Sequence, residues 1–238
     1  MNHRPGRKTI PQRSLQGMTF SAPEPSSTDL PLKAGDELLF TYGPHGDVDL
    51  MAEYGFLLGS GKNQFNQVYL DLAIQADLKG DPACGLKEGV LRDQGYWLSA
   101  CLLRRHRTFT DTKSRNWTLA YTDDRLDTCE ATWPTLNALR LLHLEVDPAS
   151  TATDALRPWY LAINGMRETV SAQNEAQVQQ TLLALCQHAR TAAESGLEEC
   201  TVRAASVTPR ASQYFKLLAE LYKEDIRICR NVVDRMQL

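Results

Sequence analysis

The 238-residue sequence predicts an α+β fold with short strands early and helices dominant from residue 87 onward. Three observations carry this. The run GDELLFTYGPHGDVDLMAEYGF, Gly35 to Phe56, reads as strand, tight turn and short helix. Apolar and polar residues alternate at Gln67–Ile74 and Trp117–Thr122, the pattern of half-buried strands. Beyond Lys87 the apolar residues recur at three- and four-residue intervals, the period of an amphipathic helix.

The N-terminal tip is locally basic, with Arg4, Arg7, Lys8 and Arg13, and reads as a solvated flexible arm. Met18–Phe20 predicts a short strand. Residues 21–31, SAPEPSSTDLP, are rich in Pro and Ser and read as an exposed, poorly ordered loop. Asp36–Tyr42 predicts a buried strand, which Gly43-Pro44 breaks. Asp47 is expected to N-cap a short helix with Val48 and Met51 on one face, and Gly55 stands where a C-cap glycine belongs. Gly59-Ser60-Gly61-Lys62-Asn63 looks at first glance like a phosphate loop. It lacks the first glycine, with Phe56 in that place, and Asn63 replaces the metal-reaching Ser/Thr, so it reads as a turn. In the following strand Val68, Leu70 and Leu72 are expected to share one face.

Leu86–Trp97 and Tyr96–Arg105 have helical spacing interrupted by Gly95, and Asp123-Asp124 is expected to turn the chain. Trp133–Leu144 predicts a helix whose apolar face holds Trp133, Leu136, Leu139, Leu142 and Leu144. Leu156–Ile163 predicts a short helix. Asn174–Glu194 predicts a longer one, with Val178, Leu182, Leu185, Cys186 and Ala189 on its stripe and Gly196 as its stop. The last helix spans Pro209–Met236, with Pro209 in its first turn and Lys216 facing Glu220.

Composition narrows the function classes. Hydrophobic residues make up 42% and charged residues 23%, enough for a real core, and the net charge of -3 gives no global basic field for nucleic acid. No run approaches a membrane span, and the first twenty residues lack the apolar stretch of a signal peptide. The six cysteines are widely spaced with no C-x-x-C pair, which argues against zinc and against a disulfide framework; Cys186 and Cys229 read as core thiols. The five histidines are scattered, so metal ligation is not expected, and His45 reads as a surface or supporting histidine. A reducing compartment, cytoplasmic or nuclear, is the expectation.

Gly35-Asp36-Glu37, Thr41-Tyr42-Gly43-Pro44-His45 and Glu53-Tyr54-Gly55-Phe56 resemble the C-terminal end of a SET domain, the fold of S-adenosylmethionine-dependent protein lysine methyltransferases. Asn2-His3-Arg4-Pro5 resembles the Asn-His motif of the same domain. The subfamily resembled is that of the Rubisco large-subunit methyltransferase. The resemblance implies a C-terminal SET portion over residues 1–62 and a mainly helical substrate-binding domain over 63–238, on which a protein substrate docks. It implies that Tyr42 is the active-site tyrosine. It implies too that Asn2, His3, Tyr54 and Phe56 contact S-adenosylmethionine, with Tyr54 and Phe56 also lining the lysine channel. The residues alone also admit plainer roles: a core tyrosine at 42, core aromatics at 54 and 56, and a frayed tip at 2–3. Target protein, number of methyls, and lysine against histidine as acceptor stay open.

In the family a glycine-rich cofactor-binding half precedes the Asn-His motif, whereas this sequence begins inside that motif. Two functional readings follow. One is a protein N-methyltransferase acting on lysine. The other is a non-catalytic interaction module, a truncated SET relict carrying a helical binding domain. On either reading the 238-residue chain alone is expected to bind S-adenosylmethionine weakly or not at all. Calorimetric titration checks this; micromolar affinity would contradict it.

Overall fold

The computed structural model describes residues 2–3, 11–14, 16–20, 34–35, 39–40, 42–97, 117–122, 126–146 and 152–237. The expected loop at 21–31, most of the second helical stretch up to Arg105 and the turn at Asp123-Asp124 lie outside them. The fold is α+β and mainly helical, and it divides by contact into two compact units, Met1–His45 and Gly46–Leu238.

The first unit holds short strands. β1 (Asn2–His3) pairs in parallel with β4 (Leu39–Phe40), Asn2 opposite Leu39 and His3 opposite Phe40. Of the strand expected over Asp36–Tyr42, only Leu39–Phe40 is described as extended. β2 (Pro11–Ser14) pairs antiparallel with β3 (Gly17–Phe20), so the expected Met18–Phe20 strand forms. Its partner strand contains Arg13, so the reading as a free arm does not hold there; Arg4, Arg7 and Lys8 lie outside the described residues. Pro11 opens the strand, where a missing N–H is tolerated, and Gly17 closes the hairpin at φ 135, a conformation that favours glycine. Asn2–His3, admitted above as a frayed tip, is paired.

In the second unit α1 (Asp47–Tyr54) precedes β5 (Gln67–Tyr69), α2 (Asp71–Lys79) and α3 (Cys84–Asp93). Then come β6 (Thr118–Tyr121), β7 (Cys129–Ala131), α4 (Trp133–Leu142) and α5 (Ala152–Ile163). The chain ends in two long helices, α6 (Ala172–Ser206) and α7 (Pro209–Met236). The sheet is an antiparallel meander of order β5-β6-β7. The strand expected to reach Ile74 stops at Tyr69 because Asp71 opens a helix. Leu72 therefore lies 85% exposed while Val68 and Leu70 are buried. The third helix ends at Asp93, and Gly95 follows at φ 69.

One apolar core joins sheet and helices, with Ile74, Leu91, Trp117, Leu119, Leu139, Leu141, Trp159 and Ile228 inside it. In α4 the buried positions are Thr135, Asn137, Ala138, Leu139, Arg140 and Leu141, while Trp133 is exposed. The inward face is thus rotated from the leucine stripe expected, because polar groups with dedicated partners occupy part of it. Arg140 Nε lies 2.7 Å from Glu175, and Asn174 donates to the Arg140 carbonyl at 3.0 Å, tying α4 to α6. Buried Lys87 reaches Asp81 and the Leu142 carbonyl, each at 2.7 Å, and so binds α3 to the end of α4. Cys186 and Cys229 are core thiols, and burial pushes each thiol pKa up to about 12. Glu220 pairs with Lys223 at 2.6 Å rather than with Lys216. No helix among the described residues is long and apolar enough to cross a membrane.

The sequence reading of Gly196 as a helix stop is overturned: α6 runs through it to Ser206. The reason is packing. A Cβ at 196 would lie 2.5 Å from the Tyr222 ring on α7, so glycine lets the ring press against the α6 backbone. Alanine would gain about 1 kcal/mol of helix propensity and lose roughly 1–3 kcal/mol to overpacking. Gly196→Ala is therefore expected to destabilise the native protein, yet to stabilise a Tyr222→Ala background. Urea melts of the two pairs check the reversal of sign.

Candidate functional site

The helix α1 begins at Gly46, whose backbone is extended. A side chain there would place its Cβ 3.0 Å from the Phe65 carbonyl, so glycine lets the turn at 65–66 close over the helix start. Asp47 was expected to cap this helix. It is instead the first helical residue, and its side chain makes no capping bond. Its carboxylate, 2% exposed, looks back across the segment after the helix. It accepts from Leu58 N at 3.1 Å, Gly59 N at 3.2 Å, Asn63 Nδ2 at 2.9 Å and Asn66 Nδ2 at 3.3 Å. Such saturation makes a buried carboxylate tolerable. The inward residues of α1 are Asp47 and Leu50, whereas Val48 is exposed and Met51 half-buried.

A second carboxylate completes the cluster from the far end of the chain. Glu224, in the middle of α7 and 3% exposed, accepts from Ser60 Oγ and Gly61 N at 2.7 Å each and from Asn66 Nδ2 at 3.3 Å. Tyr121 on β6 donates its hydroxyl to Glu224 at 2.6 Å. Arg227 stands 3.8 Å from Glu224, donates to the Tyr121 hydroxyl, and holds the carbonyl of Leu126, a non-glycine residue at φ 62. Burial, with Glu224 alongside, pushes the Tyr121 hydroxyl well above the usual tyrosine range. The network binds residues 47–66 to β6 and α7. Residues 46–62, grouped by sequence with the SET-like portion, thus hydrogen-bond within the second unit.

The sequence-predicted site residues fall as follows. Asn2 and His3 form β1, beside the strand β4 that leads toward Tyr42. Tyr42 is half-buried in the first unit. Tyr54 and Phe56 lie in the second unit on either side of Gly55, which ends α1 at φ 77 with its N–H bonded to the Met51 carbonyl, as a C-cap should. Their rings are in tilted contact, centroids 6.3 Å apart, with Tyr54 exposed and Phe56 half-buried. The bonds from Leu58 N and Gly59 N to Asp47 secure the backbone just beyond Phe56. Among the described residues no group of three or more His, Cys, Asp or Glu is arranged to hold a metal ion.

Sequence reasoning missed Asn63, Asn66, Tyr121, Glu224 and Arg227. Glu224 had one readable sign: it interrupts the apolar stripe Leu217, Leu221, Ile228 at an inward position. No protein-family model, curated protein or solved structure matches the chain.

Beside this network Asp225 has its pKa raised to about 7, first by burial and second by neighbouring Glu224. A carboxylate whose folded pKa lies above its unfolded value of 3.8 favours the fold while protonated in both states. That contribution is lost as pH rises from about 4 through about 7. Asp225→Asn is therefore expected to raise Tm at pH 8 and to have little effect at pH 4. Thermal melts across this range check the sign; a lower Tm at pH 8 would contradict it.

Proposed function

We propose that the protein is an S-adenosylmethionine-dependent protein N-methyltransferase of SET type, acting on lysine. The observation that carries this reading is the parallel pairing of Asn2–His3 with Leu39–Phe40. A stretch that resembles the Asn-His motif pairs there with Leu39–Phe40, the two residues that stand between Gly35-Asp36-Glu37 and Thr41-Tyr42-Gly43-Pro44-His45. The aromatic pair Tyr54–Phe56 adds support, because its partly exposed rings suit contact with a purine or an alkyl cation.

On this reading Asn2 and His3 contact the polar groups of S-adenosylmethionine, and Tyr54 and Phe56 pack against it. The cofactor supplies a methyl group activated by its sulfonium charge. The protein's task is to deliver a neutral, aligned amine. Aromatic walls exclude water, which disfavours the charged ammonium and lowers the lysine pKa. Positioning the amine contributes the proximity term. The Tyr42 hydroxyl acts as a fixed dipole toward charge that develops at the reacting centre.

One observation favours the second reading, an interaction module without chemistry. α6 and α7 extend over 35 and 28 residues, far beyond what the core uses. From Glu194 to Lys223 only Cys200 is buried, leaving a helical arm suited to contact another protein.

Transfer of labelled methyl from S-adenosylmethionine to lysate proteins by the natural protein tests the proposal. Tyr42→Phe is expected to lower kcat by about 100-fold, the loss typical of one preorganised polar group. Unchanged turnover in that variant would remove Tyr42 from the mechanism. No transfer by the unaltered protein would leave the interaction reading.

A further inference from the structure

The helices α6 and α7 leave the core together as an arm, held side by side where the Tyr222 ring presses on Gly196. Between Glu194 and Ala219 only Cys200 is buried. At the root of the arm α7 buries Ile228 and Val232. The same apolar stripe continues outward at three- and four-residue spacing through Leu221, Leu218, Leu217 and Tyr214, none of which is buried. Tyr214 is 55% exposed, and Val202 on α6 is 64% exposed. Each helix of a pair covers only one flank of the other. A stripe that outruns its core therefore leaves an apolar face for a further element to cover.

The charges on the arm indicate what covers it. Residues 191–200, toward the root, hold Glu194, Glu198 and Glu199 and no basic residue. Residues 201–217, toward the tip, hold Arg203, Arg210 and Lys216 and no acidic residue. All six side chains are exposed. Glu199 pairs with Arg203, and Glu194 with Arg190, along α6, but exposed pairs of this kind contribute little. Glu198, Arg210 and Lys216 make no ion pair with a described residue. An arm acidic toward its root and basic toward its tip is complementary to itself turned end for end. Two such arms side by side in the same direction would set like charges against like. A two-fold axis across the middle of the arm instead brings each tip to the other copy's root, the self-complementary geometry of a symmetric dimer. The stretch Glu194–Ser206 is about 20 Å long at the helical rise, so one overlap aligns both charged bands. The two apolar stripes then close on each other as an antiparallel four-helix bundle.

We propose that the α6–α7 arm pairs antiparallel with the same arm of a second copy of this chain. Self-association needs neither cofactor nor turnover, so it does not rest on methyl transfer. It gives the arm of the interaction reading a definite occupant.

Sedimentation of the full chain in the analytical ultracentrifuge tests this. The unaltered chain is expected to form dimers at micromolar concentration, and fewer of them at high salt. Arg210→Glu with Lys216→Glu, and separately Glu194→Lys with Glu198→Lys, set like charges across the two-fold axis. Each pair of substitutions should weaken dimerisation about tenfold or more. Mixed in equal amounts, the two variants should recover the dimer, because each tip then meets a root of opposite charge. The substituted positions are exposed and receive good helix formers, so circular dichroism of each variant should match the unaltered chain. A chain that stays monomeric would overturn the second copy as occupant. Dimers indifferent to both charge reversals, or no recovery on mixing, would overturn the antiparallel pairing.

Discussion

The carboxylate of Glu224 is the interaction on which the second unit turns. It sits 3% exposed and takes donors from Ser60, Gly61, Asn66 and Tyr121, with Arg227 alongside. A buried charge without these donors would be far more expensive than the hydrogen bonds are worth singly. The turn at 60–66, the strand β6 and the helix α7 must therefore assemble together or not at all. Asn66 shares its amide between Glu224 and Asp47, each at 3.3 Å, so the constraint passes on to the start of α1. Asp47 in turn holds the backbone at Leu58 and Gly59. In this way a residue on the last helix restrains the segment that follows Phe56.

The same region has a different character one residue further on. Asp225 is half-buried where Glu224 is buried, and it lacks the donors that Glu224 has. One organises turns, and the other makes no hydrogen bond or ion pair with a described residue. Elsewhere in the unit the buried ions resemble Glu224. Lys87 meets Asp81 and donates also to the Leu142 carbonyl of α4, and Arg140 meets Glu175 through two nitrogens.

Much of the fold was legible from period and punctuation. The last helix, the helix at 133, the strand at 118–121 and the C-cap at Gly55 all rest on local signals: a stripe, a proline, a glycine. The errors have local causes too. Leu72 continued the alternation by chance, and Asp71 instead opens a helix. β7 (Cys129–Ala131) is too short to announce itself and exists because β6 offers it an edge. Gly196 carried the usual mark of a helix end, but what it answers to is the ring of Tyr222 on another helix.

For the site, the sequence by itself determined the short helix ending at Gly55 and the aromatic contact of Tyr54 with Phe56. Those features depend on backbone freedom and on residues two positions apart. The polar network was decided by tertiary structure alone. Asp47 was expected to cap because a capping residue is recognised by its neighbours in sequence. Its actual partners include Leu58, Gly59, Asn63 and Asn66, and the linked acid is Glu224 on the last helix. A carboxylate satisfies its lone pairs with whatever donors the folded chain brings near, and that choice has no period, spacing or motif to read.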